Sequence, residues 1–478
     1  MKINEERRNM LMKLRGISLL LAMFLSLLCL AACKKEEDAP SATETPIIQS
    51  NLDRDPLPED TTDYFALLEN AFVGLTEPAA SELLYEVQEE TVKITGYYGT
   101  AEKLRLPETV DGLPVTAIGD QVFLNHSELH VLSIPNSVTA FGKEVLKGCN
   151  ELYALKTPLP EAENGTYLGY LYGATGHETN NVSDLRNLKY LEIGGVITEL
   201  PSYALYDCND LVAVKLPETV KCLASYSMYR CESLKFVTTE HLTSIAAHAM
   251  DYCISLETLI LPSGMQTIGV GAFENCVSLR RLTLPFVGGS RTENTYLGYV
   301  FGASTYGFSA GFYPTGLEWV TVTDGIDKLG DHAFYDCDSL WSVSLPLSVT
   351  SIGTRAFSGC ERIREVQLSP NLLTVGDVAF AGCTRLGTVD LGTRLQRLGV
   401  NAFLNCTSLS QIALPATLTV LPNSCFHGCT ALKTVDLGGV ITVEKNAFHG
   451  CTALEQIAAS DQIKFEDGNE AAETLLKE

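Results

Sequence analysis

The stretch CISLETLILPSGMQTIGVGAFENC, residues 253–276, decides the fold. Leu256, Leu259 and Leu261 follow an L-x-x-L-x-L pattern, in which alternate side chains of an extended strand point inward. Pro262 ends the strand, because proline cannot donate to a ladder. Ile268-Gly269 opens a second extended piece and a turn. Ala272-Phe273 fills the far side of a core, and Cys276 closes one coil. The skeleton recurs as Leu340, Val343, Leu345-Pro346, Ile352-Gly353, Ala356-Phe357 and Cys360. It recurs again as Leu409, Ile412, Leu414-Pro415, Cys425-Phe426 and Cys429.

The cysteines give the period. Eleven of the fifteen stand at 149, 208, 231, 253, 276, 337, 360, 383, 406, 429 and 451, mostly 22 or 23 apart. A fixed period of this length with regular leucines is the signature of a leucine-rich-repeat solenoid. The expectation is a β-rich solenoid of about 15 coils of 22–23 residues, counted from Leu104, with short helical turns on the convex side. At strand spacing it would run to about 70 Å. Two gaps are longer and hold matching inserts, near 160–187 and 288–316. Tyr167-Leu168-Gly169-Tyr170-Leu171-Tyr172 pairs with Tyr296-Leu297-Gly298-Tyr299-Val300-Phe301, 129 residues later. Cys208 and Cys337 have the same separation, so a larger unit was itself duplicated.

These residues resemble the BspA-like leucine-rich repeats of bacterial surface proteins. In that family a coil reads leucine-proline, isoleucine-glycine, alanine-phenylalanine, cysteine. The resemblance covers residues 101–460. Val145-Leu146 departs from alanine-phenylalanine, and Leu437-Gly438 from leucine-proline, both conservatively. The resemblance implies surface adhesion or contact with host proteins.

Outside the repeat, the chain begins with an export signal. Lys2, Arg7, Arg8, Lys13 and Arg15 precede an apolar run from Ile17 to Ala32. That run is too short for a spanning helix, which needs about 20 residues. Leu30-Ala31-Ala32-Cys33 resembles a bacterial lipobox, which implies a signal peptide over 1–32 and a lipid on Cys33. Residues 33–62, polar and proline-containing, read as a disordered tether. Residues 63–115 read as an N-terminal cap, 116–460 as the solenoid, and 461–478 as a C-terminal cap, since solenoids need polar ends. The implied location is the outer side of a bacterial membrane, held through the lipid.

The net charge of −24 argues against nucleic acid, because phosphate binding needs a basic face. Catalytic signatures such as H-E-x-x-H, G-x-S-x-G and the P-loop are missing, so no catalytic residue and no cofactor is assigned. Cys425, His427, Cys429, His449 and Cys451 cluster on two coils but lack C-x-x-C spacing. Cys429 and Cys451 belong to the ladder, so no metal ligand is assigned either. The ladder cysteines read as buried thiols packed like small apolar side chains.

Binding residues are sought on the outward positions of the strands. These include Tyr190/Glu192, Phe236/Thr238, Thr258/Ile260, Arg281/Thr283, Trp319/Thr321, Glu365/Gln367, Thr388/Asp390 and Thr434/Asp436. Tyr190, Phe236, Trp319 and Trp341 form an aromatic group beside the inserts, suited to anchoring a partner. The alternative is that they pack beneath the insert loops. Tyr167, Tyr170, Tyr296 and Tyr299 make the inserts a second candidate surface. The expected function is adhesin-like binding of a protein or glycan at the cell surface. The competing reading is an envelope spacer without a ligand.

Overall fold

The computed structural model describes residues 62–476 except Asn294 and Asp324. The expected export signal, Cys33 and nearly all of the expected tether lie outside the described residues. Residues 103–458 coil as a solenoid with two parallel sheets.

The first sheet is built from the L-x-x-L-x-L strands. Its register places Leu259, Leu282, Val320, Val343 and Val366 opposite one another on the core side. Thr258 and Ile260 flank Leu259 and are exposed, as the period of two requires. The ladder is broken twice rather than continuous. It pauses between Phe236–Val237 and Thr258–Ile260. There the Thr239 hydroxyl donates to the Ile260 carbonyl. A side chain thus takes up a bond that strand backbone makes elsewhere. It pauses again at Thr388–Asp390, where a strand was expected and none forms. Gly387 and Gly392 flank that segment, and glycine weakens a strand.

The second sheet is made of two-residue strands carrying the Ile-Gly element, such as Ser351–Ile352 and Thr374–Val375. The glycine has a steric reason. A Cβ on Gly376 would stand 2.7 Å from the Gly353 carbonyl carbon, and one on Gly399 would stand 2.3 Å from that of Gly376. Neighbouring coils approach backbone to backbone here.

Opposite the first sheet, each regular coil is a run of tight turns. The phenylalanines form a buried spine: Phe334, Phe357, Phe380, Phe403, Phe426 and Phe448 stack at 5.0–5.8 Å with planes 2–17° apart. The cysteines bond to this spine. Cys383 Sγ donates to the Phe357 carbonyl at 3.2 Å, and Cys406 Sγ to that of Phe380 at 3.1 Å. Cys149, Cys231, Cys276, Cys360, Cys429 and Cys451 make the same bond one coil back. Cysteine is selected because a small apolar side chain with one weak donor suits a buried carbonyl. All thirteen described cysteines are free thiols.

The two inserts are wide coils of the same wall. The 3-10 helices Leu168–Tyr172 and Leu297–Phe301 stand where other coils have the Ala-Phe turn. Phe273 N–H bonds the Val300 carbonyl, and Leu297 N–H bonds the Ala333 carbonyl. Leu146 with Leu171, and Leu168 with Ala204, repeat this in the first block.

At the N-terminal end, a hairpin of Leu83–Gln88 and Thr91–Tyr97 extends the second sheet by pairing with Leu113–Ile118. Helix α1, Tyr64–Ala71, does not sit at that end but lies on the first sheet. At the C-terminal end, Lys464–Phe465 adds a last strand to the second sheet. Helix α2, Glu470–Leu475, follows with Ala472 buried. No helix among the described residues is long and apolar enough to cross a membrane.

Candidate functional site

The outward face of the first sheet divides into a covered and an open part. Helix α1 covers the first. Its Asp63 side chain caps the amide of Ala66, and Leu68 and Ala71 are buried. Phe65 meets Phe236 edge-on at 5.8 Å, and Lys215 Nζ lies 5.5 Å from the Phe65 ring and 3.4 Å from Glu69 Oε1. Tyr190 packs in a cluster with Ala71, Phe72, Leu75 and Tyr153. Tyr190 and Phe236 are therefore partly covered, but by the N-terminal helix and not by an insert. Sequence separation hid this, since helix and strands share no period. Beside the start of α1, a groove of about 570 Å³ is lined by Phe65, Phe236, Thr258 and Ile260. Ile260 is 61% exposed.

The open part holds the chain's two tryptophans. Both are half-buried, and their ring partners are arginines of neighbouring coils. Arg281 lies 4.3 Å from Trp319, with Arg280 at 5.7 Å, and Arg364 lies 4.3 Å from Trp341. Arg280 is bridged to Glu318 at 3.0 Å. Such stacking fixes the indoles by cation–π attraction and leaves a preformed aromatic and charged surface.

The insert tyrosines lie on the opposite, turn-bearing side. Tyr167 is only 2% exposed and so offers no contact surface. Its ring meets that of Tyr170 at 6.1 Å. Tyr296 and Tyr299 repeat the pair at 6.0 Å, and the Tyr296 hydroxyl donates to the Ala303 carbonyl. Burial raises the hydroxyl pKa of Tyr167 and Tyr296. The structure thus separates the sequence candidates onto two faces.

A third group escaped the sequence reading. Tyrosines recur five and two residues before the coil cysteine: Tyr203 and Tyr206, then Tyr226 and Tyr229. They stack into two rows on the turn side. His177, Tyr203, Tyr226 and His248 form one row at 4.1, 5.5 and 5.3 Å. Tyr206 and Tyr229 form the other at 5.0 Å, and Tyr252 meets Tyr229 edge-on. Tyr203, Tyr226 and His248 adopt left-handed backbone, with φ of 63°, 59° and 55°. Asn401, Asn405 and Asn446 take that conformation in later coils, and asparagine tolerates it better. The second block begins the same arrangement with Tyr306 on His332 at 3.7 Å, beside Tyr335. Recurrence relative to the cysteines was the available signal.

The BspA type leucine rich repeat region, in six copies, matches residues 97–167, 180–293, 309–433 and 363–469, well over half of the chain. The chain belongs to this family. Its members are bacterial cell-surface repeat proteins, built as binding-related scaffolds and typically non-enzymatic. No curated protein matches the sequence. Among solved structures, the chain is similar to a leucine rich cell surface protein of Faecalibacterium prausnitzii. Identity there is 22%, over 83% of this chain and 97% of that one, with a TM-score of 0.30. It is also similar to a leucine-rich repeat protein of Bacteroides ovatus, at 21% identity over 82% and 99% of the two chains, with a TM-score of 0.37.

Proposed function

We propose that this family member is a lipid-anchored, outward-facing receptor that binds a protein or glycan at the bacterial surface. The observation that carries the reading is the open part of the first sheet, where Arg281 and Arg364 hold Trp319 and Trp341 in place. A rigid indole costs little entropy to immobilise, so it suits an anchor. The acidic balance of the rest disfavours nucleic acid as partner. Cys33 carries the lipid in this reading, and the polar residues after it space the solenoid from the membrane.

The binding test is a panel of matrix proteins, mucins and envelope glycans, with the double variant Trp319→Ala/Trp341→Ala beside the parent. Saturable binding that the variant loses supports the reading. Absence of binding across the panel, or binding equal in the variant, moves the protein to the spacer class or the site to another face. Cys33→Ala tests the anchor. The variant is expected in the soluble fraction, and its retention on membranes would defeat the lipid assignment.

A further inference from the structure

The row of stacked rings ends at His248, and the next coil shows what replaces it. The place of the next ring is Gly271, in left-handed backbone with φ of 62°. The place that holds Tyr206 and Tyr229 becomes Asp251 and then Glu274. His248 Nδ1 consequently faces two carboxylates, Asp251 Oδ2 at 3.3 Å and Glu274 Oε2 at 3.4 Å. One donor atom from each of the three side chains lies within 4.8 Å of the others. We propose that His248, Asp251 and Glu274 bind a divalent first-row transition metal ion of the zinc class, with water completing its coordination.

The distances also fit a shared metal ion, although His248 Nδ1 and Asp251 Oδ2 are within hydrogen-bond reach. A charged imidazole–carboxylate hydrogen bond closes to about 2.7–2.9 Å. Two donors bound to one tetrahedral ion at about 2.1 Å stand roughly 3.4 Å apart. Both observed separations match that edge.

The local charge balance points the same way. Asp251 Oδ1 accepts from Asn275 Nδ2 at 3.0 Å, which orients the carboxylate. Its side chain is 7% exposed. Among the described residues, no lysine or arginine bridges either acid. The first block, aligned on Cys149 and Cys276, provides an internal contrast. Lys147 stands there in place of Glu274, Gln121 in place of His248 and Leu124 in place of Asp251. Glu144 replaces Gly271; Lys147 at 2.6 Å neutralises it, and Gln121 Nε2 donates a hydrogen bond to it at 2.7 Å. One block closes this spot with an internal cation. The other gathers three ligands and supplies none.

There is also room. A Cβ on Gly271 would lie 2.7 Å from His248 Cε1 and 2.8 Å from Glu274 Oε2, and one on Gly302 would lie 2.7 Å from Glu274 Oε2. Both glycines have positive φ, so the backbone itself disfavours a side chain that would displace His248 or Glu274. His248 and Glu274 are 28% and 29% exposed, which leaves an entry from solvent. One imidazole and two carboxylates suit zinc or its neighbours. Calcium asks for six to eight oxygen ligands.

The test uses the full chain, purified without an affinity tag in detergent and stripped with chelator. Zinc is titrated against a chromophoric competitor. One ion per chain is expected, with affinity falling about 100-fold or more in His248→Ala and in Glu274→Gln. A double variant, His248→Ala/Glu274→Gln, keeps every ladder cysteine, so zinc held by thiols would persist in it. Equal affinity in the double variant overturns the proposal, as does the lack of a stoichiometric site in the parent. Calcium binding tighter than zinc and indifferent to His248→Ala overturns the donor set. X-ray absorption of the zinc-loaded chain is expected to show nitrogen and oxygen neighbours at about 2.0–2.2 Å, and sulfur neighbours would refute the site. Should His248→Ala misfold, the half-exposed Glu274→Gln decides alone, with circular dichroism confirming its fold.

Discussion

Phe380→Ala tests whether the aromatic spine holds the coils together. Phe380 is fully buried between Phe357 at 5.0 Å and Phe403 at 5.1 Å, with planes 6° and 2° apart. Truncating a buried phenylalanine costs about 3–5 kcal/mol, as transfer energy lost plus a cavity that surroundings fill only partly. A site clamped by flat rings on both sides collapses poorly, so the upper half of that range is expected. The loss should also be placed, because a solenoid is held by nearest-neighbour interfaces. Coils on either side of Phe380 are expected to uncouple. Urea unfolding should become biphasic, and hydrogen exchange should rise over residues 357–403 before it rises elsewhere. Ile260→Ala, on a side chain 61% exposed, is the control and should stay within about 0.5 kcal/mol. A loss under about 1 kcal/mol for Phe380→Ala, with one unchanged transition, would refute the spine as the main coupling element.

Three other outcomes follow from the packing. Gly376→Ala places a Cβ 2.7 Å from the neighbouring coil's backbone, so coils must part, and calorimetry should show a lowered Tm. An unchanged Tm would mean the coil spacing is not set by the glycine column. Leu68→Asp should release α1 from the sheet, since an eight-residue helix is marginal without docking. Limited proteolysis would then cut near residues 62–75 while the solenoid stays intact, and resistance equal to the parent would contradict the docking. Burial pushes the thiols of Cys149 and Cys451 from 9.0 up to about 12. They should resist a thiol reagent in the native state at pH 8 and react in denaturant. The unfolded chain releases these protons above about pH 9 while the folded chain keeps them. Stability is therefore complete below pH 9 and falls between pH 9 and 12, by about 1.4 kcal/mol per pH unit for each such thiol. Flat stability over that window would contradict their burial.

The period of the cysteines and the L-x-x-L-x-L, Leu-Pro, Ile-Gly and Ala-Phe elements determined the solenoid, its coil length and its inward side chains. They could do so because each coil repeats the same local rules and meets only its neighbours. The same locality explains what the sequence left open. Thr239 stands at the first break in the first sheet, its hydroxyl reaching the Ile260 carbonyl of the adjoining coil. Phe65 finds Phe236 only once the intervening coils have wound up and brought α1 back over the face. Trp319 and Trp341 were legible as outward or flanking positions, but not the arginines stacked on them. His248 and Asp251 come from one coil and Glu274 from the next, so no spacing along the chain marks them as a group. The sequence set the repeat, which depends on contacts one coil away. Tertiary structure decided which parts of each face are covered, because that depends on segments that share no repeat with the strands they meet.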